Sequence, residues 1–245
     1  MKQILKNKKK IDINSLTEIL GVSDVTVRKD LDKLQDEGFL EKIHGGAVLI
    51  ETKKNKFSSE EISISNLDQK EKIVETAYKT IQKGESIFIG SGTTCYLLAQ
   101  RIKKEDEISV VTNNISILDL LLPNCKNVIL IGGEVICQNG IKFTLGKKTS
   151  NTFEGIYVNR AFTSVTGVDL NAGLTVTKEF SAYIYRGISD ITNNWTLMID
   201  DSKYNKIGLV YVASLDSPDC IITNKIDKQY KEIFDKKEKR LLICE

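Results

Sequence analysis

The sequence predicts a small winged helix-turn-helix head followed by a larger α/β domain, a mostly parallel sheet with flanking helices. Three observations carry this expectation. An amphipathic helical stripe near residue 30 runs into two extended segments separated by glycines. A polar stretch follows. Beyond it, short apolar runs alternate with helical ones to the end of the 245 residues. The expected divisions are a head over 1–50, a linker over 51–66 and a second domain over 67–245. A chain of this length has room for a core in both.

In the head, Ile4, Leu5, Ile11, Ile13, Leu16, Ile19 and Leu20 recur at helical separations, and Gly21 ends the second of two short helices. Few residues precede the first helix, which is expected to be short. Ser23 is well placed as the N-cap of the next helix. From Val27, the residues Leu31, Leu34 and Gly38 step by four, three and four, forming one stripe and a stop. Val25 and Lys29 lie opposite that stripe, with Thr26 and Arg28 on its flanks. Asp32, Asp36 and Glu37 come later, where a phosphate backbone would repel them, so only the first two turns suit a major groove. Thr26 and Arg28 then suit phosphate contacts, and Val25 and Lys29 base edges, with Ser23 at the helix start in the same DNA-facing set. FLEKI and AVLI, separated by His44, Gly45 and Gly46, read as the hairpin of a wing, with Lys42 and His44 near its tip.

Residues 51–66 are polar and charged, as a linker should be. Next, Ile73, Val74, Ala77, Tyr78 and Ile81 share a helical face that Gly84 ends. SIFI, ISVVT and NVILIGG then alternate with the helical TCYLLAQRI and SILDLLL; later strands are expected near AFTSV, WTLMID, VYVASL and CIIT, and a helix near 177–191. Open parallel sheets bind ligands at the carboxyl ends of their strands. At one such end, Gly90-Ser91-Gly92-Thr93-Thr94 can gather amides and hydroxyls around an anion, most naturally a phosphate. Thr112-Asn113-Asn114 and Gly132-Gly133 occupy equivalent ends, suited to sugar hydroxyls, and Asp200 and Lys203 close another strand.

Composition narrows the function classes. The net charge is +2, and residues 1–56 hold 12 Lys and Arg against 9 Asp and Glu, a slight excess on the head. Five cysteines at irregular spacing, without a C-x-x-C pair, argue against a zinc site or a disulfide framework. The only histidine, His44, lies in the expected wing, so Ser-His-Asp and Cys-His catalysis lack a member. GSGTTC approaches the dinucleotide fingerprint, but Cys95 stands at its third glycine and Asn113 and Asn114 stand where an acidic residue would hold a ribose. No G-x-x-x-x-G-K-[ST] occurs. No cofactor, metal site or catalytic residue is expected. The basic N-terminus lacks a signal-peptide core and no run approaches eighteen apolar residues, so a soluble, cytoplasmic chain is expected.

LGVSDVTVRKDLDKLQDEGFLEKIHGGAVL resembles the N-terminal signature of the DeoR family of bacterial transcriptional regulators, through Val22-Ser23, Thr26 to Leu31, Gly38 and His44 to Ala47. GSGTT, VVTNN, LIGGEV, AFTSVTGVDLNAGLTVTKE and DDSKYN, in this order, resemble that family's sensor domain. The resemblance implies a ribose-5-phosphate isomerase-like fold over 67–245, operator DNA and a phosphorylated sugar as partners, and homo-oligomers. Carried over residue by residue, it implies effector contacts from Gly92, Thr93, Thr94, Thr112, Asn113, Gly132, Asp169, Lys178, Glu179 and Lys203. Gly90 departs from the pattern, since many relatives carry Asp there. The expected function is a carbohydrate-responsive repressor. The alternatives are an isomerase-like enzyme with an accessory winged helix, using Lys203 and Asp200 for proton transfer, and an adaptor whose head binds protein.

Overall fold

The computed structural model describes residues 10–36, 40–43, 45–49, 64–145 and 153–244. The chain divides into two compact units, residues 1–59 and 60–245.

The first unit holds strand β1 (Lys10–Asp12), helices α1 (Ile13–Leu20) and α2 (Asp24–Asp36), and strands β2 (Leu40–Ile43) and β3 (Gly46–Leu49). The sheet order is β1-β3-β2, with β3 antiparallel to both neighbours. Ile11 was expected at a helical position, but it lies in β1, opposite Ala47. The reason is local: Asp12, extended at φ −85° and ψ 160°, caps α1 by accepting from the Ser15 N–H at 2.8 Å, so the helix starts at Ile13 and residues 10–12 are extended. Gly21, at φ 66°, closes α1 in the left-handed conformation. Val27, Leu31 and Leu34 bury the expected stripe of α2 against Ile11, Ile13, Leu16, Leu40 and Ala47. Gly38, the expected stop, lies outside the described residues.

The second unit opens with α3 (Leu67–Tyr78), then β4 (Ser86–Ile89), α4 (Thr93–Arg101), β5 (Ser109–Thr112), the short α5 (Leu118–Leu121) and β6 (Asn127–Leu130). A hairpin follows, β7 (Glu134–Gln138) with β8 (Ile141–Leu145), and then β9 (Arg160–Thr163), β10 (Gly167–Asp169) and β11 (Gly173–Val176). Helices α6 (Glu179–Arg186) and α7 (Ile188–Ile191) precede β12 (Trp195–Ile199), β13 (Val210–Ala213), β14 (Cys220–Thr223), α8 (Lys228–Lys236) and β15 (Arg240–Ile243).

Seven of these strands form one parallel sheet, ordered β15-β14-β12-β9-β4-β5-β6. Strands β9, β12 and β14 are buried at every residue, as a sheet covered on both faces requires. Their alternation splits the core: Leu197 and Ile199 of β12 enter one apolar cluster, and Met198 the other. From β4 the chain moves outward to β5 and β6, then returns to place β9 on the other side of β4. The strand order therefore reverses between β4 and β9.

VYVASL, expected among the later strands, forms β13 outside that sheet. It pairs antiparallel with β11 in a three-stranded sheet of order β10-β11-β13. Tyr211 of β13 is exposed, while Val212 and Ala213 are buried.

Candidate functional site

Two places gather the residues singled out by sequence. The first is the start of α2. Ser23 accepts from the Thr26 N–H at 3.3 Å, and the two hydroxyls lie 2.9 Å apart, so both side chains serve the helix N-terminus while remaining exposed. Val25 is 75% exposed, too much for a core residue and fit for contact with a partner. The Arg28 Nε donates to Asp24 Oδ2 at 3.0 Å, an exposed pair one turn apart that a phosphate can replace at little cost. Lys29 is exposed and makes no ion pair among the described residues. Lys42, on β2, is bound through its ammonium to Asp32 of α2, and its N–H donates to Gln35 Oε1 at 3.0 Å. It ties the wing to α2. His44 lies outside the described residues.

The second place is a cleft of about 200 Å³ at the carboxyl ends of β4 and β9, where the strand order reverses. Open α/β sheets leave such a crevice because the connections from the two strands run in opposite directions. Gly92, Thr93 and Thr94 line it from the start of α4, and Ser164, Thr166, Thr177, Lys178, Ser181, Tyr185 and Lys203 from the segments after β9, β11 and β12. Gly92, at φ 105°, adopts a backbone that L side chains rarely reach, and this lets the turn present its amides at the head of α4.

Of the expected effector contacts, Gly92, Thr93, Thr94, Lys178 and Lys203 come together in this cleft, and the other five do not line it. Thr112 is wholly buried and donates to the Ile89 carbonyl at 2.6 Å, and Asn113 donates to the Thr144 carbonyl at 3.0 Å, fastening the β7–β8 hairpin. Gly132 is exposed after β6. Asp169 accepts from the N–H groups of Asn171 and Ala172, both at 2.9 Å, which shapes the β10–β11 turn and holds its carboxyl below the usual range. Glu179, in the first turn of α6, accepts from the Tyr183 hydroxyl at 3.3 Å.

Lys70 was not anticipated. Only 3% exposed, it lines the cleft from α3 and donates to Thr93 Oγ1 at 2.9 Å and to the Ser65 carbonyl at 2.8 Å. Burial pulls its pKa down, the Asp200 carboxylate raises it, and Lys203 lowers it again. A signal was present in the sequence: positions 70, 73, 74 and 77 form the buried stripe of α3, and one of them is a lysine. Asp200 is 1% exposed; Oδ1 accepts from Asn66 Nδ2 and the Ser202 N–H, each at 3.1 Å, while Oδ2 has no partner among the described residues. Tyr185, also missed, donates to the Ser164 carbonyl and fixes one wall.

Three lysines, a helix N-terminus and a ring of hydroxyls suit an anionic, polyhydroxylated ligand. No cysteine lines this cleft. Burial pushes the Cys95 thiol up to about 12, and Cys220 and Cys244 upward as well. Among the described residues, no cluster of three or more His, Cys, Asp or Glu is placed to hold a metal, and no helix is long and apolar enough to cross a membrane.

The DeoR-like helix-turn-helix domain matches residues 1–53, and the DeoR C terminal sensor domain matches residues 65–225. The chain belongs to the DeoR family. As a DeoR family member it is a DNA-binding transcriptional regulator, and the exposed start of α2 lies within the matched DNA-binding domain. Its relatives include the HTH-type transcriptional regulator IolR of Bacillus subtilis, 30% identical over 91% of this chain and 88% of that one. The lactose phosphotransferase system repressor of Lactococcus lactis is 31% identical over 91% and 89%. The regulator GolR of Listeria innocua is 28% identical over 95% and 92%. Among solved structures, a ribose 5-phosphate isomerase of Methanocaldococcus jannaschii is 19% identical with a TM-score of 0.39, over 57% of this chain and 55% of that one. A Chaetomium thermophilum eIF2B delta chain, 10% identical, gives 0.44 over 61% and 55%. Likenesses this distant carry no weight for function.

Proposed function

We propose that this DeoR family regulator represses genes of carbohydrate metabolism in the cytoplasm and responds to a phosphorylated sugar bound in the cleft between β4 and β9. The observation that carries it is that Lys70, Lys178 and Lys203 line one cleft with the Gly92-Thr93-Thr94 turn, Lys70 donating to Thr93. The amides and the ammonium groups favour a phosphate, and the hydroxyls of Ser164, Thr166, Thr177 and Ser181 suit a polyol. The names of the relatives support the repressor role, since one is a lactose phosphotransferase system repressor. On this account the chain is no enzyme: Lys203 belongs to ligand binding, and Asp200 holds Asn66 and the Ser202 N–H. At the DNA, Ser23, Thr26 and Arg28 hold the backbone, and Val25 and Lys29 meet base edges, with Lys42 and His44 in the wing.

The test is fluorescence anisotropy of labelled DNA from upstream of the chain's own gene cluster, at two salt concentrations, with and without a panel of sugar phosphates. Specific binding that one sugar phosphate alone alters is expected. Lys29→Glu should weaken binding by roughly tenfold or more and flatten its salt dependence. Tight binding of a sugar phosphate that leaves operator affinity unchanged would overturn the proposal, as would isomerase turnover lost in Lys203→Ala.

A further inference from the structure

Within the second unit, the residues just ahead of α3 are fastened by Lys70, which lines the ligand cleft, and by Asp200, which is buried at the end of β12. Ile64 packs, partly buried, against the cluster that contains Ile73, Val74 and Ala77. The carbonyl of Ser65 accepts from Lys70 Nζ at 2.8 Å. Asn66 stands in the left-handed conformation at φ 54°, which turns its amide so that Nδ2 donates to Asp200 Oδ1 at 3.1 Å. Three consecutive residues are thereby tied down, and toward the N-terminus from them the chain leads to the DNA-binding unit.

The ammonium of Lys70 has three protons to donate. Two are used, on Ser65 and Thr93, and the third has no partner among the described residues although the side chain is 3% exposed. A largely buried ammonium with an unused proton beside the cleft is costly, and an anion bound at the head of α4 can accept that proton. Because one nitrogen serves all three contacts, an anion that fixes it also fixes the Ser65 carbonyl. Asp200 works in the same direction from the other side: its Oδ1 holds Asn66, and its carboxylate faces the charge of Lys70.

We propose that Lys70 and Asp200 form a latch through which an anion in the cleft anchors residues 64–66, the point at which the chain leaves the sensor toward the DNA-binding unit. This rests on the anion-binding cleft proposed above and adds the route by which occupancy reaches the connection between the two units. Ligand and anchor stabilise each other, so the linkage is reciprocal: whatever loosens the anchor must weaken the ligand by the same factor.

The experiment uses the full chain and inorganic phosphate, with chloride at matched ionic strength as the control. Calorimetric titration gives the phosphate affinity, and hydrogen exchange followed by mass spectrometry reads the peptides that cover residues 64–70. Phosphate should slow exchange there by roughly fivefold or more, in line with the usual size of such couplings. Asn66→Gly keeps the left-handed backbone but removes the amide from Asp200, and it should weaken phosphate binding by a similar factor. Lys70→Met should abolish both effects; should it fail to fold, Asn66→Gly alone decides. If phosphate binds but exchange at 64–70 is unchanged and Asn66→Gly binds it as tightly as the parent, the latch is wrong and the anion site stands. If phosphate and sugar phosphates alike fail to bind, the cleft assignment falls and the latch with it.

Discussion

At the scale of single residues, Lys70 makes a prediction about pH. Its ammonium is buried, and burial places its pKa below the ordinary 10.5 despite the raising effect of Asp200. Anion binding needs the charged form. Affinity for phosphate should therefore fall as pH rises through the depressed value, before an exposed lysine would respond, and Lys70→Gln should lose that alkaline limb along with most of its affinity. The stability of the unliganded chain moves the other way. Between the folded value and 10.5 the unfolded state binds more protons, so the contribution of Lys70 is fully present above 10.5 and is lost as pH falls through the folded value. Calorimetric titration and thermal unfolding over the alkaline range check the two signs separately; affinity and stability rising together would contradict the assignment. The residue was legible only in part. A lysine inside an apolar stripe marks an exception, but the partners that give it a role, Ser65 and Thr93, lie on either side of it in sequence and are joined only by the fold.

At the scale of elements, the turn between β2 and β3 shows why glycines mattered to the sequence pattern. A Cβ at Gly46 would lie 2.4 Å from the Ile11 carbonyl oxygen, closer than any real contact, so β1 and β3 can pair at that register only with glycine there. Gly46→Ala should destabilise the first unit by about 1–3 kcal/mol through forced backbone movement. The expected readout is an earlier unfolding transition for the DNA-binding unit and weaker operator binding, with phosphate affinity unchanged; a transition equal to that of the parent would show that β1 yields without cost. What sequence revealed of the elements follows their periodicity. Helices α2 and α3 and six strands of the parallel sheet carry apolar patterns that were readable, while its edge strand β15, at Arg240–Ile243, was not anticipated. Strand β1 is three residues long, and a cap decides its state. The hairpin β7–β8 is short and partly polar, and β13 differs from a parallel strand only in which of its residues meet solvent.

At the scale of the whole molecule, strand order is what periodicity leaves open. Nothing in the local pattern of β9 states that it returns beside β4, yet that return creates the cleft and decides which of the expected contacts meet. Thr112 and Asn113 sit at the end of β5, one strand away from the reversal, and their hydrogen bonds are spent on the Ile89 and Thr144 carbonyls. Strand-end chemistry was therefore recognisable from sequence, while membership of one site was not. The same scale governs DNA binding. If the start of α2 is the DNA reader proposed above, it reaches only a few base pairs, too few to distinguish an operator from the rest of a genome, so useful specificity requires at least two copies on one DNA. The prediction is that sedimentation equilibrium gives a mass that is a multiple of 27.5 kDa, and that protection of operator DNA from cleavage falls on repeated or inverted half-sites about one helical turn, or a multiple of it, apart. Changing that spacing by half a turn should cost far more affinity than changing it by a full turn, because half a turn moves the second major groove to the opposite side of the duplex. Equal affinity at all spacings, or a 27.5 kDa species at the concentrations where operator is bound, would show that one copy suffices.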